Sequence, residues 1–520
     1  MAGRYDGAAT SRASISLMRD RVLILSVFVA ASCGLAYELI AGALTSYLLG
    51  DSVLQFSSVI GCYLFAMGVG SHLSRYVKDE DALQRFIEIE LLVGLVGGAS
   101  ATILFLVYAW MSGPFREAMY ALVFVIGVLV GMEIPLVMRI LNERKPDFST
   151  LISRVLTFDY LGALAVSLLF PLVLAPHLGL VRTGFLFGIC NAAIAIWTTR
   201  SFRADISGAQ GLVLRSVMVL CLLAGGFVYS ERLTLWAEHG IYGDPVIHAE
   251  NTPYQRIVIT KWHNDMRLYL NGNLQFSSVD EHRYHEALVH PMLTSLPWAQ
   301  QVLVIGGGDG LAVRELLKYP NLKGITLVDL DQAMTTLFRT SGPLLKLNQG
   351  SLNNPRVHLI TADAGRWLED NDAMFDAIIV DLPDPSNYGL GKLYSVPFYR
   401  LLQKHLSEKG YVVIQSTSPY YAPRSFWCVN ATLRDAGLHT WPYHTYVPSF
   451  GDWGFILAGK RDDYTPPQHY EVPLTYLDGP TTTEMFRFPR DMTPPDVQPN
   501  RLNNQSLVQY FQQDWAEVIR

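Results

Sequence analysis

The chain changes its hydrophobic rhythm once, near residue 230. Before that point long apolar runs are separated by short polar loops; after it, short apolar runs alternate with polar turns. Runs near 22–49, 54–76, 87–111, 118–140, 151–175, 178–198 and 212–230 are each long enough to span a bilayer. The first reads either as one span or as two short helical pieces around Gly34, and the last carries Arg215 near its start. Residues 1–21 are polar, and no small-x-small cleavage site follows at the right distance, so the first run reads as a retained span rather than a removed signal peptide. The stretches GLVGGASA and LGALAVS suit close helix packing.

Basic residues alternate between the two sides of this bundle. Arg4, Arg12, Arg19, Arg21, Arg75, Lys78, Arg85, Arg139, Arg144, Lys145, Arg200 and Arg203 fall on one side, against Arg116 and Arg182 on the other. The positive-inside rule puts the N-terminus in the cytoplasm, and seven spans then carry everything after residue 230 outside. Three acids interrupt the apolar runs: Glu38 (AYELIAG), Glu133 (GMEIPL) and Asp159 (FDYLGAL). They form either a cation-attracting site or path within the bundle, or neutral groups bonded to neighbouring helices.

The second half reads as α/β. Strands are expected at 257–260 and 266–270, and Asn271-Gly272 signals a hairpin into the next strand. A helix follows, with Ser278 or Asp280 at its N-cap and with Tyr284 and His285 close together along it. The run VLVIGGGDG, at 302–310, is a strand entering a glycine turn that carries one acid, and LAVRELLK continues as a helix. The strand ITLVD then ends at Asp329. Strand, glycine turn, helix, strand and acid make a nucleoside site, in which Gly306 and Gly308 let backbone approach the ligand and Asp329 accepts from ribose hydroxyls. Asp309 would repel a pyrophosphate, so a cationic ligand is expected, such as a sulfonium nucleoside with an amine tail.

Later strands at 357–360, 377–380 and 411–414 end in Thr361-Ala362-Asp363, in Asp381 and in Gln415-Ser416. Ligands of open α/β sheets sit outside those carboxyl ends, so Asp309, Asp329, Asp363 and Asp381 should converge on one cleft. In DLPDPS, Asp381 and Asp384 stand three residues apart between prolines. A protonated alkylamine needs one carboxylate to take its proton and another to hold it in line; the alternative is a turn with a helix cap. A last strand pair lies around 447–457, where Asp452 and Trp453 either wall the amine pocket or belong to an edge hairpin. Residues 460–500 read as a proline-rich wrap and 505–520 as an amphipathic helix.

Composition adds limits. The 520 residues leave room for two or three domains, and the mean hydropathy of +0.21 is high for a soluble enzyme. The net charge of −6 gives no nucleic-acid signal. Five scattered cysteines without a C-x-x-C pair argue against a disulfide framework or a zinc site. The expected organisation is a polar segment (1–21), a transmembrane α-helical bundle of about seven spans (22–230), a small β unit (241–300), a Rossmann-like nucleoside-binding α/β domain (301–460) and a C-terminal extension (461–520).

Positions 254–458 resemble the spermidine synthases, the aminopropyltransferases of polyamine synthesis. The matching text includes YQRIVIT, LYLNGNLQFSSVDEHRYHEALVHP, VLVIGGGDG, LVDLD, TADAGRWL, FDAIIVDLPDP and GKLYSVPFY. With its apolar half, the whole chain is similar to the bacterial membrane-fused branch of that family. The resemblance implies transfer of an aminopropyl group from decarboxylated S-adenosylmethionine to a diamine such as putrescine, releasing methylthioadenosine. The donor is a co-substrate rather than a tightly bound cofactor, and no metal is required because the sulfonium is already activated. Asp381 would be the base and Asp384 would bind the amine. Asp309 would hold the donor's ammonium, Asp329 its ribose, and Asp363 with Ala364 its adenine. Gln255 and Gln275 would line the donor site, while Tyr284 and His285 orient the reacting groups. The implied setting is a multi-pass protein of the bacterial inner membrane, in contact with lipid and paired as a homodimer.

The chain departs from the family at Asp363-Ala364, where Asp-Gly is usual, at Asp329, where Glu is usual, and at VPSFGDWGF near the amine pocket. Two other functions remain open: a methyltransferase using S-adenosylmethionine, which Asp309 opposes because it would face the donor's carboxylate, and an amine transporter or sensor with a nucleoside-binding module. A cytoplasmic donor and an outside catalytic half conflict, so the sequence leaves the side open.

Overall fold

The computed structural model describes residues 5–49, 53–110, 115–142 and 148–518; Arg4, Arg144 and Lys145 of the charge pattern lie outside them. The chain divides into two compact units, Met1–Val246 and Ile247–Arg520.

The first unit is helical: α1 (Tyr5–Leu49), α2 (Val53–Leu73), α3 (Ala82–Trp110), α4 (Phe115–Asn142), α5 (Phe148–Leu169), α6 (Ala175–Ser201) and α7 (Ala209–Tyr242). The polar start belongs to α1, which also runs unbroken past Gly34. Instead of splitting the helix, Gly34 lets two neighbours close in. Tyr63 donates to its carbonyl at 3.0 Å, and Val130 lies 3.0 Å from where a Cβ would stand. The last apolar run extends well beyond residue 230, so the stretch before the β unit is helix rather than linker.

Among the described residues, six helical stretches are long and apolar enough to cross a membrane, and one of them, Ser149–Ser201, has 53 residues. A straight helix of that length would reach about 80 Å, far more than a hydrocarbon core of about 30 Å. It is not straight. Pro171 lies in a π-helical turn at Phe170–Leu174, and Gly179 (φ 73°, ψ 172°) breaks the helix. Ser32 on α1 donates to Gly162 O of α5 (3.2 Å), while Ser26 meets Thr198 (3.2 Å) and Cys33 meets Phe187 O (3.4 Å) on α6. Ascending α1 therefore means descending α6, and the chain has folded back so that α5 and α6 flank one stretch of α1.

The second unit opens with an antiparallel sheet of β1 (Val246–Asn251), β2 (Arg256–Trp262), β3 (Asp265–Leu270) and β4 (Asn273–Ser277). The Asn271-Gly272 hairpin is present, with φ of 50° and 83°, as a type I′ turn requires. Helix α8 (Glu281–Thr294) leads into β5 (Gln301–Gly306), α9 (Leu311–Leu316) and β6 (Gly324–Asp329). Then come α10 (Gln332–Thr340), α11 (Gly342–Leu347), β7 (Val357–Thr361), α12 (Ala364–Glu369), β8 (Phe375–Asp381), α13 (Tyr388–Gly391) and α14 (Val396–His405). The chain ends with β9 (Leu406–Gln415), α15 (Pro423–Asp435), β10 (His439–Val447), β11 (Gly451–Gly459), α16 (Gly479–Met485) and α17 (Ser506–Val518).

The seven strands are ordered β10-β11-β9-β8-β5-β6-β7, with β9 to β7 parallel and the β10-β11 hairpin antiparallel at one edge. Along β5, Val302 and Val304 face one apolar layer, while Leu303 and Ile305 face the other, so helices cover both faces. The strand order reverses between β5 and β8, which opens a crevice at their carboxyl ends.

Residues 460–500 form a packed wrap. Glu286 on α8 is 1% exposed, and its carboxylate accepts three successive backbone N–H groups, from Thr475 (2.7 Å), Tyr476 (2.9 Å) and Leu477 (3.0 Å). Asp280 occupies the N-cap position of α8 without capping it; its carboxylate instead takes the N–H (2.7 Å) and hydroxyl (3.0 Å) of Ser449 in the β10-β11 turn. Helix α17 docks on α15 through Asp514 and Arg424 at 2.6 Å.

Candidate active site

Register sets the site before any side chain is considered. Gly306 pairs with Asp381, and Ile305 with Val328, so the glycine turn, the end of β8 and Asp329 share one level of the sheet. Three glycines have φ near +70° here: Gly306 (78°), Gly307 (63°) and Gly310 (77°). Gly308 is required by proximity instead, because a Cβ would lie 2.6 Å from Asp329 Oδ2. At Gly307 a Cβ would lie 3.2 Å from Asp381 Oδ2. The turn thus lies directly between two carboxylates.

Each acid of this cluster is held; Asp309 is buried, and Asp329, Asp381 and Asp384 are half-buried. Asp381 Oδ1 accepts from the Tyr284 hydroxyl at 2.6 Å. Asp309 accepts the N–H of Leu311 at 2.9 Å, and Asp329 that of Asp331 at 2.8 Å. Asp384 takes Gln415 Nε2 and Thr417 Oγ1, both at 3.3 Å. Thr417 adopts φ 56°, uncommon for a β-branched residue, at the point where its hydroxyl meets Asp384. Burial pushes Asp309, Asp329 and Asp384 each up to about 6, and pushes Asp381 up as well. A cluster of desolvated carboxylates is stabilised by a cationic ligand.

A second chain of contacts runs behind it. His285 Nδ1 lies 2.7 Å from Glu281, which also receives Arg314 through two bonds of 2.8 and 3.0 Å. Burial alone would depress the imidazole, but the bond and charge of Glu281 outweigh it and raise His285 to about 8. Glu281 itself falls to about 2, since His285 and Arg314 outweigh its burial. The imidazolium faces both Asp309 and Asp381. Glu281, Arg314, Gln415 and Thr417 are site residues that the sequence pattern does not mark. A charged Arg314 within the otherwise helix-forming LAVRELLK, and Gln415 at a strand end, were the available signals.

Other expected residues lie differently. Gln255 donates to Asp331 at 2.9 Å, so it is tied to the loop beyond Asp329. Gln275 bonds carbonyls of its own strand, Asn273 (3.1 Å) and Leu274 (3.4 Å). Asp363 caps α12 by accepting from Arg366 N–H (3.1 Å) and pairs with Lys392 at 2.9 Å, with Ala364 beginning that helix. Asp452 and Trp453 point to opposite faces of β11. Trp453 packs on Phe450 (ring centroids 5.0 Å apart), which in turn lies 6.2 Å from Tyr284. Asp452 is held by His444 at 2.7 Å in the other layer, so it does not join Asp381 and Asp384. Glu133 is buried in the helical unit, whereas Glu38 and Asp159 are half-buried there.

Residues 281–466 match the spermine/spermidine synthase domain. The chain is 63% identical to polyamine aminopropyltransferase 2 of Ralstonia nicotianae over 96% of its length and 99% of that protein. It is 49% identical to the polyamine aminopropyltransferase of Leptospira interrogans (96% and 99% covered) and 42% identical to polyamine aminopropyltransferase 1 of Streptomyces coelicolor (95% of each). These matches extend through the helical unit. Among solved structures, spermidine synthase from Thermotoga maritima aligns with a TM-score of 0.43 at 25% identity, over 47% of this chain and 84% of that one.

Proposed function

This chain belongs to the polyamine aminopropyltransferases, and from that premise we propose that it transfers an aminopropyl group from decarboxylated S-adenosylmethionine to putrescine. The products are spermidine and methylthioadenosine. The observation that carries the reading is the set of carboxylates around one glycine turn: Asp381 and Asp329 flank it, Asp309 lies within it, and Asp384 stands three residues beyond Asp381.

In this reading Asp309 binds the donor's ammonium and Asp329 its ribose hydroxyls. Asp384, steadied by Gln415 and Thr417, binds the ammonium of the incoming amine. Asp381 takes the proton that the attacking amine must lose. The amine nitrogen forms a bond to the donor carbon beside the sulfonium; the carbon–sulfur bond breaks, and its electrons leave with sulfur as a neutral thioether. Tyr284 fixes one Asp381 oxygen, and Oδ2, which has no donor among the described residues, is left at the glycine turn to accept. The His285 imidazolium offsets the charge of Asp309 and Asp381 before substrate binds. Asp363, engaged by Lys392, would have to share or yield that partner to reach an adenine amine.

The helical unit, in this proposal, crosses a bacterial inner membrane seven times, with α5 and α6 as separate spans joined at the Gly179 reversal. Exposed Leu64, Phe65, Leu168, Leu172, Leu222 and Val228 supply a surface suited to lipid. Seven spans with the N-terminus inside place the catalytic unit outside. An impermeant thiol reagent tests this with Lys261→Cys in intact cells: labelling supports an outside catalytic unit, and protection until lysis refutes it.

The reaction is tested with purified full-length protein, decarboxylated S-adenosylmethionine and a panel of amines. Methylthioadenosine release that needs both putrescine and Asp381 is the expected result. Release with other diamines only would displace putrescine as the acceptor; no release with any amine would overturn the reading.

A further inference from the structure

The helical unit contains a polar layer that the catalytic chemistry does not use. Glu90 on α3 is 0% exposed and Glu133 on α4 is 4% exposed. Neither oxygen of Glu90, nor Oε1 of Glu133, has a hydrogen-bond partner among the described residues. Two further side chains share this condition. Asn191 on α6 is 0% exposed with both its amide oxygen and nitrogen unpaired, and Tyr37 on α1 is 1% exposed with its hydroxyl unpaired.

These four come from four helices and meet. Glu90, Gly94 and Gly97 lie at i, i+4 and i+7 on α3, and so form one stripe. A Cβ on Gly94 would lie 2.9 Å from Asn191 Cβ, and one on Gly97 would lie 2.5 Å from the Tyr37 ring. The stripe that carries Glu90 is thus the stripe on which Asn191 and Tyr37 rest. Glu133 interacts electrostatically with Glu90, and Tyr37 with both glutamates. Cys33 and Cys190 lie within the same reach. Val130 packs on α1 at Gly34, and Ile87, Leu91, Val93 and Val137 belong to the same apolar cluster as Tyr37, so the walls are apolar.

Isolated carboxylates and an amide with both ends unsatisfied are costly in a bundle core, and they are retained where a ligand completes them. We propose that Glu90, Glu133, Asn191 and Tyr37 form a second amine site, which takes a protonated alkylamine within the helical unit. The two carboxylates and the Asn191 carbonyl accept ammonium N–H groups, and the Tyr37 hydroxyl and ring add a further acceptor and a cation-binding face. Apolar walls suit a methylene chain, whereas calcium or magnesium would call for six or more oxygen ligands, and among the described residues no three His, Cys, Asp or Glu side chains are grouped to hold a metal ion. The choice of an alkylamine over another organic cation rests on the amine chemistry of the catalytic unit; the site itself does not.

Equilibrium dialysis of labelled putrescine against purified full-length protein tests the proposal. Asp384→Asn is made first, to remove amine binding at the catalytic centre without touching the helical unit. That variant is expected to retain about one bound putrescine per chain. Adding Glu90→Gln and Glu133→Gln should abolish it, and Tyr37→Phe alone should weaken it about ten-fold, as loss of one charge-assisted bond does. Glu90→Gln with Glu133→Gln in the otherwise native chain should leave methylthioadenosine release unchanged. No binding by Asp384→Asn, binding that survives both glutamine substitutions, or displacement by equimolar sodium would each overturn the site. The turnover assay remains independent, so loss of this site and failure of the catalytic reading give different results.

Discussion

The two units bury acids in opposite ways. In the α/β unit every carboxylate of the active site has a donor: Tyr284 for Asp381, a backbone N–H for Asp309 and for Asp329, Gln415 and Thr417 for Asp384, and Arg314 for Glu281. In the helical unit Glu90 is buried with no donor among the described residues. The first arrangement is preorganised, with acids aimed in advance at charge that arrives with the substrates. The second is incomplete without a ligand. Glycines divide along the same line. At Gly306 and Gly310 they supply positive φ; at Gly94 and Gly97 they only let helices approach.

The contrast can be broken hardest at Asp381. Asp381→Asn should lower kcat by about a thousand-fold, within the range for a lost general base, whereas Glu133→Gln should leave kcat as it is. Steady-state methylthioadenosine release measures both; similar losses in the two variants would merge what is here separated. Next comes Arg314→Ala, which strands the buried charge of Glu281. A cost of about 3 kcal/mol is expected, read as a lowered denaturation midpoint, because one partner of a buried ion pair is removed. Gly308→Ala should follow, with a rise of about ten-fold in the donor KM and a smaller change for the amine, since the added methyl meets Asp329.

The smallest effect is a pH dependence. Asp309, Asp329 and Asp384 have folded values near 6, above the ordinary carboxyl range. The folded state therefore binds protons first, and the α/β unit without substrate should gain stability as pH falls from about 7 to about 5. Glu281 has the opposite sign: its contribution is present above about 4.5 and is lost as pH falls toward 2. Melting temperatures across this range should rise and then fall. A saturating cationic substrate should flatten the rise, because it stabilises the charged forms.

Much of the α/β unit is written in local text. Strands β5 to β9 follow from apolar runs, and Asp381 and Asp329 from their positions at strand ends. The Asn271-Gly272 turn follows from two residues. What escaped has no local signature. Asp452 and Trp453 are neighbours in the chain, and only the pleat sends them to different layers. Asp280 sits where a cap is expected, but a turn more than 160 residues away claims its carboxylate. Glu90 in RFIEIELLV has no local signature, because an acid at the start of an apolar run resembles an ordinary helix end; its burial depends on α1 and α6. The runs 151–175 and 178–198 leave a gap at Pro176-His177, but the break in the helix falls at Gly179, inside the second run, because a positive φ there has no signature in the hydropathy pattern.

Glu286 has a consequence for the order of synthesis. Its carboxylate accepts backbone N–H groups from residues 475–477, and it lies on the helix that carries Tyr284 and His285. A ribosome reaches those residues long after the helix itself has emerged. Until then, docking the helix would take the Glu286 carboxylate out of water with none of these three donors in place, which is unfavourable. The catalytic helix is therefore locked last, by the tail, so a chain released early at residue 470 would be inactive although every residue of the carboxylate cluster had already been made.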